Sequence, residues 1–136
     1  MGQQQILFLI FGVCVLGIAI SVGFISVQQE ASHENRGLLV AELQRLGALA
    51  QEFYKRPFED RGGGGSFLPL TSVSQGISVL SPTRPRVHGD FFIKKSASIG
   101  SLQIVAIGVV PGNDPRFPVR AMITVYPDST AVATLN

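Results

Sequence analysis

The chain has 136 residues, 46% of them hydrophobic, with 8 prolines and 15 glycines, which suits one modest domain plus an appendage. Charge is sparse at 15%, and the net charge of +2 is scattered rather than clustered, which excludes nucleic-acid binding as the main function because phosphate neutralisation needs grouped Lys and Arg. No Asp, Glu, Lys or Arg precedes Glu30, so all 11 basic and 9 acidic residues lie from there onward, and the two parts of the chain are written for two different solvents.

The first element is the apolar run 6–27, interrupted only by Gly12, Gly17, Gly23, Ser21 and Ser26. As a helix it covers roughly 33 Å, close to the ~30 Å hydrocarbon core of a bilayer. A removable secretory signal fits poorly, since residues 1–5 carry no Lys or Arg and Ser26-Val27-Gln28 is a weak cleavage site. An N-myristoylation signal fails as well, because Ile6 stands where that motif needs Ser or Thr. Cys14 is the only cysteine and sits inside the run; it has no internal disulfide partner and reads as a small buried hydrophobe. Gly12, Gly17, Ala19, Gly23 and Ser26 permit close helix approach, but a plain single-span anchor carries glycine at similar frequency.

From Glu30 the pattern becomes amphipathic. Leu39, Leu43, Leu46, Ala50 and Phe53 recur every three or four residues and define one helical face for packing on a downstream head. Glu42 with Arg45, and Glu52 with Arg56, stand at spacings that let opposite charges meet, each pair adding only tenths of a kcal/mol. Pro57 is the first proline and stops the helix near Arg56. Read as one element of about 55 residues, the helix is roughly 80 Å long, more than a globular core of this size can bury. The chain therefore divides into 1–28, a transmembrane or filament-core helix; 29–57, its amphipathic continuation; 58–90, a connector and loop; and 91–136, a β-sheet head.

Within the connector, Gly62–Gly65 followed by Ser66 reads as a flexible joint. It is not a phosphate-binding loop, because Phe67-Leu68-Pro69 follows in place of Lys-Ser or Lys-Thr. The Ser, Thr and Pro-rich stretch 70–88, with Val73, Ile77, Val79 and Leu80 as apolar anchors, predicts irregular structure with one or two short strands. Strands are predicted at 91–95, 102–110, 119–126 and 131–135, separated by turn-forming clusters at 111–115 and 127–129. Val119, Ala121, Ile123 and Val125 alternate with Arg120, Met122, Thr124 and Tyr126, giving one face to the helix and the other mainly to solvent. The segment 102–110 is apolar on both faces and predicts a central strand. The fold class is α+β, a long N-terminal helix on a small antiparallel sheet.

No catalytic constellation emerges. His33 and His88 are the only histidines, no HExxH, GxSxG or paired cysteines occur, and His88-Gly89-Asp90 reads as a turn before a strand. Asp60, Asp90, Asp114 and Asp128 lie in or beside turns, where Asp caps backbone amides. The expectation is a protein with no enzyme activity, cofactor, metal or small-molecule substrate.

The layout as a whole, with an apolar segment opening the chain, an uninterrupted amphipathic continuation, a glycine-rich connection and a β-rich C-terminal part, resembles the type IV pilin and pseudopilin family. The departures are specific. Mature chains of that family usually begin with phenylalanine where Met1 stands and carry a glutamate where Gln5 stands, which pairs with the amine of a neighbouring subunit. They often have a proline near Val22 and a cysteine pair stapling the C-terminal loop, and this chain has neither. The resemblance implies a subunit already freed of a leader peptide. It also implies a helical homopolymer whose core is packed by Gln5, Ile6, Phe8, Leu9, Gly12, Leu16, Gly17, Ile20, Gly23 and Phe24. Its partners would be other copies of itself, after an inner-membrane stage in the lipid bilayer, and its location the cell surface. Gln3, Gln4 and Gln5 then bond to neighbouring termini or helix-end groups; the alternative is that they only mark a membrane surface. The alternative function is a single-pass anchored envelope protein, or a pseudopilin of a secretion system, with a β-rich interaction head.

Overall fold

The computed structural model describes residues 2–70, 76–82, 88–94 and 98–136. A single helix, α1, spans Gly2–Lys55 without interruption. It contains no proline, and Ser21 and Ser26, its weak helix formers in the apolar half, turn their hydroxyls back onto the carbonyls of Gly17 and Val22 at 2.8 and 3.0 Å. After two short 3₁₀ turns, Phe58–Asp60 and Leu68–Leu70, comes a five-residue helix α2, Gly76–Leu80. The strands follow as β1 (Gly89–Ile93), β2 (Leu102–Pro111), β3 (Pro118–Val125) and β4 (Thr130–Thr134). They form one antiparallel meander in the order β1-β2-β3-β4, which is the α+β arrangement the sequence predicts.

The helix lies on one face of this sheet. Leu39, Leu43, Leu46, Ala50 and Phe53 are buried against Leu102, Ile104, Ala106, Val119, Ala121, Ile123 and Val125, so the 3.6-residue repeat of α1 meets the two-residue repeat of β2 and β3. The buried face also extends N-terminally through Ser32 and Asn35, whose spacing continues the stripe but whose polarity hides it from a hydrophobic pattern. Gly47 is buried where a Cβ would come within 2.9 Å of Ile123 Cδ1 and 3.4 Å of Thr130 Cγ2, so the missing side chain sets how closely α1 approaches β3 and β4. β2 is central, and its outer face is partly covered, with Val105 buried and Ile107 half-buried. Val105 lies opposite both Phe92 and Met122 in the register.

Two sequence expectations are corrected. The glycine run is a fitted helix cap, not a flexible joint. The last carbonyls of α1 lack intrahelical partners, and they are taken up by the run: Gly63 N donates to Phe53 O at 2.8 Å, Gly64 N to Arg56 O at 2.9 Å and Gly65 N to Tyr54 O at 2.8 Å. Gly64 and Gly65 have φ of 56° and 84°, the left-handed region that glycine enters without a Cβ penalty. Gly62 and Gly63 are buried, and a Cβ on either would collide with main-chain oxygen, of Arg56 and of Ser66 respectively. The second correction concerns 70–88, where the described part holds α2 and no strand. Ile77 and Leu80 are buried and Val79 is 55% exposed, the one-sided pattern of a helical turn. Val73, and the Lys95 end of the first predicted strand, lie outside the described residues. β1 instead begins at Gly89.

Two glycines of α1 therefore behave oppositely on substitution. Gly37 is exposed with nothing near its missing Cβ, so Gly37→Ala stabilises the head by about 0.5–1 kcal/mol through lost unfolded-state freedom. Gly47→Leu destabilises it by about 1–3 kcal/mol through overpacking. Thermal unfolding of the full chain in detergent micelles, followed by circular dichroism, separates the two.

Candidate assembly surface

Residues 2–30 of α1 are exposed along their whole length. Between residues 6 and 27 every large apolar side chain is 48% to 74% exposed, and an 18-residue window reaches a mean hydropathy of 2.8. Fully burying one such side chain is worth about 1.5–3 kcal/mol. Leaving the segment in water thus costs on the order of tens of kcal/mol, more than the ~5–15 kcal/mol stability of a typical domain. The segment is long and apolar enough for membrane insertion and is compatible with it.

Each residue expected to pack a filament core sits on this free half. Ile6, Phe8, Leu9, Leu16, Ile20 and Phe24 project around the helix and are all exposed, as are Gln5, Gly12, Gly17 and Gly23. A Cβ on Gly12, Gly17 or Gly23 would meet no atom within 4 Å among the described residues. Their smallness therefore has no use inside one copy. The head-facing residues Leu39, Leu43, Leu46, Ala50 and Phe53 lie on the other half of the same helix and are buried.

Between the halves lies a polar neck that a hydrophobic pattern does not reveal. Asn35 Nδ2 donates to His88 O at 3.0 Å, and Asn35 lies flat on β2 because Gly108 has no Cβ to displace its Oδ1. Arg36 donates to Asn136 O at 3.1 Å and to Asn113 Oδ1 at 3.2 Å. Asn136 in turn closes the β2–β3 loop: its Oδ1 accepts from Asp114 N at 2.9 Å, and its Nδ2 donates to Phe117 O at 3.0 Å and Pro118 O at 3.1 Å. Asp114 completes the turn by accepting from Arg116 N at 3.0 Å. On the side of the neck toward the apolar half, Ile25, Val27 and Gln28 of α1 form a notch with Val110, Pro111 and Pro115 of the hairpin.

Among the described residues no group of three or more His, Cys, Asp or Glu is placed to hold a metal. His33 is exposed, and the part of His88 that is used is its carbonyl. Both expected charge pairs form, Arg45 to Glu42 at 3.0 Å and Arg56 to Glu52 at 2.6 Å. No protein-family model, curated protein or solved structure matches the chain.

The neck carries a stability prediction. Asn136→Ala removes the side chain that bonds Asp114, Phe117 and Pro118, and lowers stability by about 1–3 kcal/mol through the loss of those hydrogen bonds, although Phe117 O keeps its bond from Gly112 N. Asn136→Asp keeps the acceptor for Asp114 N but not the donors, and falls between wild type and Asn136→Ala in urea titrations of the micelle-bound chain.

Proposed function

We propose that the chain is a structural subunit of a type IV pilus-like filament, with the free half of α1 bundled among the same segments of other copies and the heads tiling the outside. The observation that carries this reading is one unbroken helix whose C-terminal half is packed along one face on its own sheet while residues 2–30 stay exposed, with only the end of that stretch, from Ile25, near the head. The apolar run 6–27 within it covers roughly 33 Å, a match to the ~30 Å core of a bilayer for the stage before assembly. Gly12, Gly17 and Gly23, which make no contact within one copy, favour close helix approach in such a bundle. The neutral Gln5 needs hydrogen bonds there but no counter-ion, and so avoids the desolvation cost of a buried carboxylate.

In this reading the subunit first resides in the inner membrane and then passes into a cell-surface polymer. Its partners are lipid and other copies of itself, with neither nucleic acid nor a small-molecule substrate and no enzymatic step. A monomeric anchored protein, or a secretion-system pseudopilin, is the competing account.

Two substitutions test it. Gly12→Trp keeps the segment apolar and able to insert but puts bulk where helices must meet. Leu16→Asp adds a cost of about 2.5–3.5 kcal/mol at the middle of a membrane helix. Electron microscopy of sheared cell-surface material is expected to show thin fibres containing this polypeptide for wild type and none for either variant, while Gly12→Trp protein is still recovered from membranes with a head that melts normally. Fibres that persist with Gly12→Trp would falsify the helical core. Wild-type protein found only in detergent-extracted membranes would establish the anchor instead.

A further inference from the structure

The sheet ends on β4, and among the described residues no strand lies beyond it. All five residues of β4 are exposed. The register fixes which of its main-chain groups are in use. Tyr126 N donates to Ser129 O and Leu135 N to Arg120 O, both at 2.8 Å, and between them Thr124 faces Ala131 and Met122 faces Ala133. Hydrogen-bonded pairs recur at every second residue of an antiparallel ladder. Ala131 and Ala133 therefore bond inward to β3, and the N–H and C=O groups of Thr130, Val132 and Thr134 point out of the open edge.

Soluble sheets normally guard such an edge with charge, proline, a bulge or a covering element. The opposite edge strand, β1, has Asp90 and is packed by α2. β4 reads Thr-Ala-Val-Ala-Thr and, among the described residues, has none of these guards. It also reads the same in both directions. An antiparallel mate centred on Val132 sets Val132 against Val132, each Thr130 against a Thr134 and each Ala131 against an Ala133. The outward-pointing residues then become the hydrogen-bonded pairs, β-branched residues meet β-branched residues, and no like charges oppose. We infer that β4 is a self-complementary edge through which two copies of this chain join into one continuous antiparallel sheet.

The pairing fixes the direction of the helices. α1 enters beneath Gly108, which faces Asn35 and Leu39, and leaves beneath the end of β3, where Gly47 faces Ile123 and Val125; it thus runs along β3. The two-fold axis of an antiparallel strand pair is normal to the sheet and reverses α1 in the mate. The two apolar halves leave the joined sheet from opposite ends, so the pair cannot be neighbours within one polar filament or one bilayer. On the filament reading above, on which this last step rests, the edge ties together filaments running in opposite directions.

The strand pairing is tested on the full chain in detergent micelles, in a Cys14→Ser background. Hydrogen-bonded antiparallel Cα atoms lie about 5.5 Å apart, inside the roughly 4.4–6.8 Å range of a disulfide. Mild oxidation is expected to turn the Val132→Cys chain into covalent dimer, and Thr130→Cys into dimer only when mixed with Thr134→Cys, while Val79→Cys, exposed on α2, stays monomeric. Val132→Cys dimerising no more than Val79→Cys would overturn the inference, and so would Thr130→Cys dimerising alone as well as in the mixture, which marks a parallel or random encounter. Val132→Pro removes an N–H that β3 does not use; it should leave the head's melting unchanged and separate bundled fibres into single ones. Bundles that persist refute the link between filaments, whereas a wild-type chain that forms no fibres counts against the filament reading and leaves the disulfides to decide the strand pairing.

Discussion

Everything in this molecule depends on one helix being a single rigid body in two environments. The head is built on the second half of α1: the sheet has one apolar face, and Leu39, Leu43, Leu46, Ala50 and Phe53 are what covers it. Left bare, that face would return the buried side chains of β2 and β3 to water, at about 25 cal/mol per Å² of apolar surface. The helix is in turn too long for the head, and its first half must be satisfied elsewhere. The same hydrogen-bonded rod therefore transmits to the head whatever fixes the apolar half, because no proline, bulge or loop interrupts it between Gly2 and Lys55.

A rod of this kind needs firm joints at the two places where it meets the head, and the chain makes them differently. At the far end the glycine run folds back on α1 and uses main-chain amides to take up its last carbonyls. Tyr54 stacks on the buried Phe67 just beyond, with ring centroids 4.8 Å apart, so the cap is fastened to the core. At the near end, where α1 emerges toward its apolar half, the joint is polar. Asn35 and Arg36 reach the start of β1, the β2–β3 loop and Asn136. Side chains that bond main-chain oxygens fix the angle of the helix by direction as well as by contact, whereas an apolar joint of the same area would resist sliding less.

The sequence makes the large features legible because each is written in a long, repetitive signal. The apolar run, the Leu39 to Phe53 stripe, the stop at Pro57 and the alternation of β3 are such signals, and the helix and sheet follow from them. What escapes is encoded in single residues whose meaning depends on distant partners. Gly62–Gly65 has the composition of a linker, and only the nearby carbonyls of Phe53, Tyr54 and Arg56 make it a cap. Gly76–Leu80 is too short for helical periodicity to show. Ser32 and Asn35 extend the buried face but lack the hydrophobicity that marks it, and Asn136 acquires its function only when β4 brings it beside Asp114. The apolar half is the reverse case. Its residues are conspicuous in the sequence, yet a single copy leaves them exposed, so their grouping belongs to whatever surrounds the helix.

The single cysteine bears on how the segment after β4 is held. Cys14 lies in the exposed apolar half, so the C-terminal residues cannot be fastened covalently within one copy. A disulfide at such a place contributes about 2–4 kcal/mol, in large part by restricting the unfolded chain. Here Asn136 holds the hairpin loop through its side chain, Arg36 grips its main-chain oxygen, and Leu135 N continues the ladder onto Arg120. At about 0.5–1.5 kcal/mol net for each hydrogen bond, the set contributes on the same scale. It also has a property that a disulfide lacks. The Arg36 contact ties Asn136 directly to α1 at the neck, so the end of the sheet, the loop and the helix are fixed by one cluster, and loosening any of its members loosens the angle at which the apolar half leaves the head.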